Sequence, residues 1–390
     1  MFLTATLARN PRLVEAAAGL HRTGRIPPDT YLIDLDAVAA NAAALAAVAA
    51  AHDVRLWPVF KQVGRNPHVI RTVAEHLPLA AAIDLRGARA IQDAGAGLGN
   101  VGHLVQLPVG AMRDVLARRP SYVTVFGADQ ARAVSAAAEH LGITQPLLAR
   151  VVAATDRFYP GQEGGVPLDD VEKFAAEVEG MDAVTLDGVT SFPCLLYDEP
   201  SAAIAPTPNL QTLLTARSRL AAAGSPVSVV SAPSATAAAS IPVLAAHGAT
   251  HGEPGHALTA TTPLHATDLT QPELPAMVYV SEIAHILPDG RPAVFGGGFY
   301  PRGRPSEALV FPSTGEPFTL PVEPAPPENI DYYRLLGAPP SGSPLRVGDT
   351  AVLAFRTQIF VTRSSVGALR GVSSGRPRLL GLADSHGRPW

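Results

Sequence analysis

The chain has 390 residues, 47% of them hydrophobic and 16% charged, which is too long for one ordinary core and too apolar for a disordered chain. A net charge of −4 with both signs dispersed leaves no basic footprint for nucleic acid, and the single cysteine, Cys194, excludes an intrachain disulfide framework. The opening run MFLTATLARNPRLVEAAAGLHRTG carries Glu15 and lacks a basic stretch followed by an unbroken apolar one. The alanine-rich run 37–52 contains Asn41 and reads as an amphipathic helix. A cytoplasmic protein with no membrane or nucleic-acid partner is expected.

In chain order, residues 1–29 read as an N-terminal helical arm, and TYLIDLD (30–36) as a strand able to pair with either domain. Short β-rich runs then alternate with helical patterns. They are RLWPVFK (55–61), LAAAID (79–84), NVGHLVQL (100–107), YVTVF (122–126), PLLARVVA (146–153), DAVTLDGVTSF (182–192), PVSVVSAPS (226–234) and ATHGEPG (249–255). Seven helical segments separate them. In PLDDVEKFAAEV, Asp169 and Asp170 favour the positive end of the helix dipole, while Val171, Phe174, Ala175 and Val178 recur at helical spacing. Another helix begins after Thr207 or Asn209, either a possible cap, and buries Leu210, Leu213 and Leu214.

Eight strands alternating with helices imply parallel strands joined by crossovers. No Gly-x-Gly-x-x-Gly turn follows the first strand, which favours a (β/α)8 TIM barrel over a doubly wound sheet. Beyond residue 265 the texture changes to strand-like runs separated by Gly- and Pro-rich turns: 276–287, 291–300, 349–363 and 377–383. EPFTLPVEPAPPENIDYY reads as a loop or extended excursion. The expected organisation is α/β: an arm (1–29), a barrel (30–265) and a C-terminal all-β domain (266–390).

Lys61 closes the first barrel strand, in PVFKQVGRNPHVI. Active sites of such barrels lie at the C-terminal ends of the strands. A partly desolvated ammonium has the lowered pKa a Schiff-base amine needs. A surface lysine laying its stem along apolar neighbours would leave the same pattern.

IDLDAVAAN followed, about twenty residues on, by a strand ending in lysine resembles the entry to the alanine-racemase fold group (fold type III). SAPSAT (231–236) and HGEPGHAL (251–258) resemble that group's Ala-Asn-Ser and Arg-Pro-Gly segments. HLVQLP, FYPGQEGG, TSFPCLLYDE, GATHGEPGHALT, FGGGFYPR and FRTQIFVTR are similar to a narrower bacterial branch, the YhfX-like enzymes, over nearly the whole chain. The resemblance implies pyridoxal 5'-phosphate (PLP) held by Lys61 as a Schiff base, and a homodimer paired head to tail.

It also implies roles for particular residues. Ser234, Thr236, Gly255 and His256 would serve the cofactor phosphate, together with Arg65, which stands where alanine racemases place a tyrosine. N-capping of the next helix by Ser234 and Thr236 is compatible with that. Glu253 stands where alanine racemase has arginine. A carboxylate there would keep the pyridine nitrogen protonated and make the ring a stronger electron sink, as in the group's basic-amino-acid decarboxylases. Arg150 would also face the cofactor, and His103 would stack on its ring or serve as a hydrogen-bonded core histidine; Arg150 and Arg157 could each be a structural ion pair instead. Arg157, with Tyr159 beside it, would bind a substrate carboxylate, and Arg356 and Gln358 would reach substrate across a subunit interface.

The tyrosine that serves alanine racemase as second acid/base aligns with Phe295, which cannot move a proton. Tyr300 and Cys194 are the substitutes, ahead of Tyr332 and Tyr333. The late β-domain strand has Arg356, Thr357, Gln358 and Ile359 where related aldolases and dehydratases carry metal ligands, so no metal is expected.

The leading function is a PLP-dependent amino-acid racemase or epimerase, an isomerase working through a Lys61 aldimine and a carbanionic (quinonoid) intermediate. Decarboxylase or lyase chemistry, favoured by Glu253, is the alternative. A non-catalytic PLP carrier, or a phosphosugar barrel without cofactor, would be of a different class.

Overall fold

The alternating segments build eight parallel strands, Arg55–Leu56, Leu79–Ala82, Gly97–Val101, Tyr122–Val125, Gln145–Val152, Val184–Thr190, Val229–Ser231 and His251–Gly252. The computed structural model describes residues 1–300, 302–326 and 328–390. Pro301, in the FGGGFYPR run, and Pro327, in the Pro-rich run, lie outside it. The chain divides into two compact units. One comprises Ala42–Phe60 and Val73–Gly255, here the barrel unit. The other comprises Met1–Asn41, Lys61–Thr72 and His256–Trp390, here the β unit.

In the barrel unit each strand pairs in parallel with its neighbour, and the eighth returns to the first through His251↔Arg55 and Gly252↔Leu56. Closure is completed where Ala81 N–H donates to the Pro58 carbonyl at 3.0 Å, so the second strand seals onto the first. Trp57 fills the barrel floor. Its indole lies 4.2 Å from the His251 ring and occupies the space over Gly99, where any Cβ would overlap it. Among the described residues, seven α-helices lie between the first and eighth strands, as expected. Val171, Phe174, Ala175 and Val178 of the Val171–Glu179 helix are buried as their spacing predicts.

Several local expectations need correction. The third strand is Gly97–Val101, earlier than expected, because Gly102 (φ +92°) turns the chain out of it. His103 therefore sits in the turn beyond the strand. Lys61 opens a 3-10 turn, Lys61–Val63, one residue past Phe60, and does not itself end the strand. The helix after the sixth strand is Pro208–Ala222, with no side-chain cap from Thr207. That hydroxyl donates to the carbonyls of Pro193 and Cys194 instead, and Leu214 is only partly buried.

The β unit is a mixed sheet in the order 318–321, 307–311, 350–353, 277–286, 30–34, 365–370, 378–383, with 292–295 added beside 277–286 and 333–335 beside 292–295. Thr30–Asp34 thus settles in this sheet, antiparallel to Met277–Ile286 and parallel to Ser365–Arg370. The arm helix Pro11–Arg22 buries Leu13, Val14, Ala17 and Ala18 against Leu32, Val278, Val280 and Val352. Two strand expectations are corrected here. The run 349–363 holds only the strand Thr350–Leu353, followed by irregular chain and a 3-10 turn at Ile359–Val361. The Pro-rich stretch contributes a real strand, Phe318–Pro321. No helix among the described residues is long and apolar enough to cross a membrane.

Candidate functional site

The mouth of the barrel unit gathers polar side chains from six of its strand ends. Glu253, one residue beyond the eighth strand, is 5% exposed. His103 Nε2 lies 3.3 Å from its Oε2, and Asn100 donates to its Oε1 at 3.5 Å. The Thr124 hydroxyl donates to Asn100 Oδ1 at 2.8 Å, which turns the amide N–H groups of Asn100 toward the carboxylate. A buried carboxylate needs such donors, because burying it unpaired would cost several kcal/mol. Asn100 and Thr124 were not foreseen in the sequence. The one signal available was polarity inside otherwise apolar strand runs.

Beside this group Arg150 is fully buried. It donates to the His103 carbonyl at 3.3 Å and to the Gln162 carbonyl, and stacks 4.9 Å from the Phe126 ring centre. Burial pulls its guanidinium down to about 10. Cys194 is also fully buried and donates its thiol proton to the Ser191 carbonyl at 3.2 Å. Burial above all, with the Asp156 and Glu253 carboxylates adding, pushes the thiol far above its ordinary range. A thiol so held is disfavoured as a thiolate, which makes Cys194 a weaker proton donor and acceptor than an open side chain would be.

The loop after the seventh strand holds Ser234 and Thr236, the residues expected to serve an anion. Ser234 spends its hydroxyl on the Leu195 carbonyl, so it offers only main chain to a ligand. Ser234 (φ +100°) and Ala235 (φ +49°) both occupy the left-handed region. Such conformations cost about 1–3 kcal/mol each and cluster at binding sites. Successive turns of this kind present main-chain N–H groups to an anion. Thr236 accepts from Glu253 N–H at 3.0 Å and so keeps its own proton for an outside acceptor. These features fit a phosphate.

Asn209 grips the loop beyond the fifth strand. Its Oδ1 accepts from Arg157 N–H at 3.0 Å, and its Nδ2 donates to the carbonyls of Arg157 (3.1 Å) and Phe192 (3.2 Å). The Arg157 side chain is left exposed. Phe192 lies between His103 and Tyr159, with ring centres 6.1 and 5.9 Å away.

In the β unit, Lys61 and Arg65 flank Phe360. Lys61 Nζ lies 5.9 Å and Arg65 Cζ 5.4 Å from its ring centre, and Arg65 also meets His386 Nδ1 at 3.2 Å. Lys61 is one of two lysines in the chain; the other, Lys173, is exposed on a helix. Arg356 Nε donates to His256 Nε2 at 3.4 Å. Burial first, then the charges of Arg356 and Lys61, hold His256 well below its ordinary pKa and keep it neutral. Gln358 is partly buried just before the 3-10 turn.

Tyr300 ends the Gly296–Gly298 loop. Phe299 stacks on Phe355 (5.6 Å, 16°), which brings Tyr300 and Arg356 onto adjacent segments. The loop is clamped by two carboxylates. Asp331 Oδ2 accepts from Gly297 N–H (2.8 Å) and Phe299 N–H (3.0 Å), and a Cβ on Gly297 would run into Asp29. Only glycine fits. Asp29 itself accepts from Tyr279 (3.0 Å) and Ser364.

Burial raises the Asp29 carboxyl from 3.8 to about 6, outweighing the Ser364 and Tyr279 bonds and the nearby Arg363, while Asp331 adds to the rise. A raised folded value means the fold holds the proton more tightly than the unfolded chain. The stability this provides is full below about pH 4 and lost as pH rises through about 6. Discounted for partial exposure, the loss is about 2 kcal/mol. Asp29→Asn should flatten that part of the stability profile in urea unfolding between about pH 4 and pH 7. Equal slopes in the two proteins would remove Asp29 as the source.

Comparison with known proteins adds the following. Residues 33–263 match the family described as alanine racemase, N-terminal domain, and residues 278–379 that described as YhfX-like, C-terminal domain. The chain is 40% identical over 389 residues to the uncharacterized protein YhfX of Escherichia coli strain K12, covering 99% of each. Among solved structures it is similar to D-threonine aldolase from Filomicrobium marinum (TM-score 0.67, 18% identity, covering 93% of this chain and 96% of that one). It is also similar to diaminopimelate decarboxylase from Helicobacter pylori complexed with L-lysine (TM-score 0.67, 13% identity, 92% and 94%). A third is alanine racemase of Clostridium difficile 630 in complex with cycloserine (TM-score 0.62, 16% identity, 91% and 98%). At these identities the structures share the fold.

Proposed function

Because the chain belongs to the alanine racemase family and carries a YhfX-like C-terminal domain, we propose that it is a PLP-dependent enzyme acting at the α-carbon of an amino acid, with racemisation or epimerisation as its reaction. The observation that supports this most is one rung of the barrel. Val59 N–H donates to the Pro254 carbonyl at 2.9 Å, so along the chain Lys61 follows that rung by two residues and Glu253 precedes it by one. An amine and a buried carboxylate thus flank the same rung in sequence, as capture of an aldehyde and tuning of its ring nitrogen require.

In this reading Lys61 supplies the amine. Thr236, the main chain of Ser234, Gly255 and His256, and the Arg65 guanidinium hold the phosphate. Glu253, oriented by Asn100 and His103, keeps a proton on the pyridine nitrogen. Bound there, pyridoxal phosphate supplies an electron-accepting ring that makes the Cα proton of an amino acid acidic. Lys61 moves that proton on one face. Arg157, with Tyr159, holds the α-carboxylate, while Arg356 and Gln358 contact substrate from a partner subunit in a head-to-tail homodimer. Tyr300 is the acid/base for the opposite face, ahead of the buried Cys194 thiol.

The test is incubation of the cofactor-loaded protein with single amino-acid enantiomers in deuterium oxide. Cα deuteration with inversion is expected, and Tyr300→Phe should slow inversion by about 100-fold or more. Deuteration without inversion would overturn racemisation. Release of carbon dioxide, or of a cleaved product, would establish the decarboxylase or lyase reading that the Glu253 carboxylate favours.

A further inference from the structure

Arg150 is a buried cation that makes no ion-pair contact among the described residues; the Glu163 and Asp156 carboxylates act on it only from farther off. It is 1% exposed, its bonds go to two main-chain carbonyls, and its Nε has no acceptor among the described residues. A charge taken out of water and left in this state is unfavourable unless something else completes its shell.

Its neighbours repeat the pattern. Arg150 stands in register with Thr190, Thr190 with Ser231, and Ser231 with His251. Residues in register on parallel strands project from the same face of the sheet. His251 packs on Trp57, whose indole lies over Gly99 of the third strand, across the second, so the row faces the barrel interior. The Thr190 and Ser231 hydroxyls are buried and, like Arg150 Nε, have no partner among the described residues. A row of one guanidinium and two hydroxyls, all with unused hydrogen-bonding capacity, is complementary to an anion.

We propose that the row of Arg150, Thr190 and Ser231 seats a second anionic group of the substrate, so that the amino acid acted on carries an acidic side chain. This rests on the α-carbon reading above. The cofactor phosphate and the substrate α-carboxylate already have other holders in that reading, Thr236 with Arg65 and Arg157 respectively. A side-chain carboxylate and a phosphate ester share the chemistry this row recognises.

The experiment uses the full-length, cofactor-loaded protein and both enantiomers of alanine, leucine, lysine, aspartate, glutamate and phosphoserine. Half-saturation is read from the cofactor absorbance and from Cα exchange in deuterium oxide. Acidic amino acids should half-saturate at concentrations about 30-fold below alanine and leucine, and Arg150→Met should shrink that ratio at least about 10-fold. Aspartate and glutamate ahead of phosphoserine assigns a carboxylate, and the reverse assigns a phosphate ester. Wild-type preference for neutral or basic amino acids would overturn the proposal. So would loss of cofactor binding in Arg150→Met, because the arginine would then serve the cofactor.

Succinate titrated calorimetrically into wild type and Arg150→Met separates this proposal from the reading beneath it. Should no amino acid exchange its Cα proton, the α-carbon reading fails. The anion seat is then decided by succinate alone, upheld by binding that needs Arg150 and overturned by its absence or by binding that ignores Arg150.

Discussion

Lys61→Ala is expected to abolish the visible absorbance that the wild-type chain acquires with pyridoxal phosphate and to slow Cα proton exchange by about a thousand-fold or more. The chain has only two lysines, so the assignment can be checked directly. Borohydride reduction of the loaded protein, followed by peptide mass mapping, should place the adduct on the Lys61 peptide. Lys173 lies exposed on the Val171–Glu179 helix, turned to solvent beside Phe174 and Ala175, which pack inward. An adduct on Lys173, or undiminished absorbance in Lys61→Ala, would end the assignment. The expected loss is large because in the proposed reading the amine would be both the covalent anchor and the base, and the other lysine, Lys173, lies exposed on a helix.

The second large effect concerns Glu253. Glu253→Gln keeps the shape and an oxygen for Asn100 to meet, but removes the charge that would hold a proton on the ring nitrogen. Turnover should fall by about an order of magnitude or more, with the cofactor still bound. Asn100→Ala should weaken the same function less, because it leaves the carboxylate in place and removes one of its donors, while Thr124 loses its acceptor. The measurement is the rate of Cα deuteration under saturating substrate in the three proteins. Equal rates in wild type and Glu253→Gln would show that the carboxylate has no part in the chemistry and would leave the Asn100–His103 arrangement as packing.

Period and punctuation carried the architecture. Apolar runs of strand length alternating with helical spacing, and no dinucleotide fingerprint after the first, were enough to read a parallel barrel. Where the reading slipped, a single backbone event was responsible. Gly102 ends the third strand early and takes His103 off it, and a 3-10 turn captures Lys61. In the β unit, periodicity overran at 349–363, because apolar composition persists where the ladder does not. It missed Glu307–Phe311 and Phe318–Pro321, where Pro and Gly interrupt short strands.

Site residues divide along a similar line. Glu253 stood out as a charge in a tight Gly-x-Pro-Gly turn. Asn100, Thr124 and Asn209 did not, because a polar residue in a strand or first helical turn looks alike whether it points at solvent, caps a helix or orients a buried carboxylate. Cys194 and Ser234 show the converse. Each has suitable chemistry, and in each the proton is committed to a main-chain carbonyl, that of Ser191 three residues back for Cys194 and that of Leu195 in the preceding strand-end segment for Ser234.

By itself, then, the order of residues determined the barrel, the change to β structure near residue 265, and a lysine and a carboxylate just past its first and last strands, since these depend on local spacing and residue chemistry. Which hydroxyls keep a free proton, which sheet receives Thr30–Asp34, and that Arg150 is buried with its Nε unbonded among the described residues were decided only in three dimensions. Those are properties of pairs of atoms far apart along the chain, and burial and hydrogen-bond partnership exist only once the chain has closed on itself.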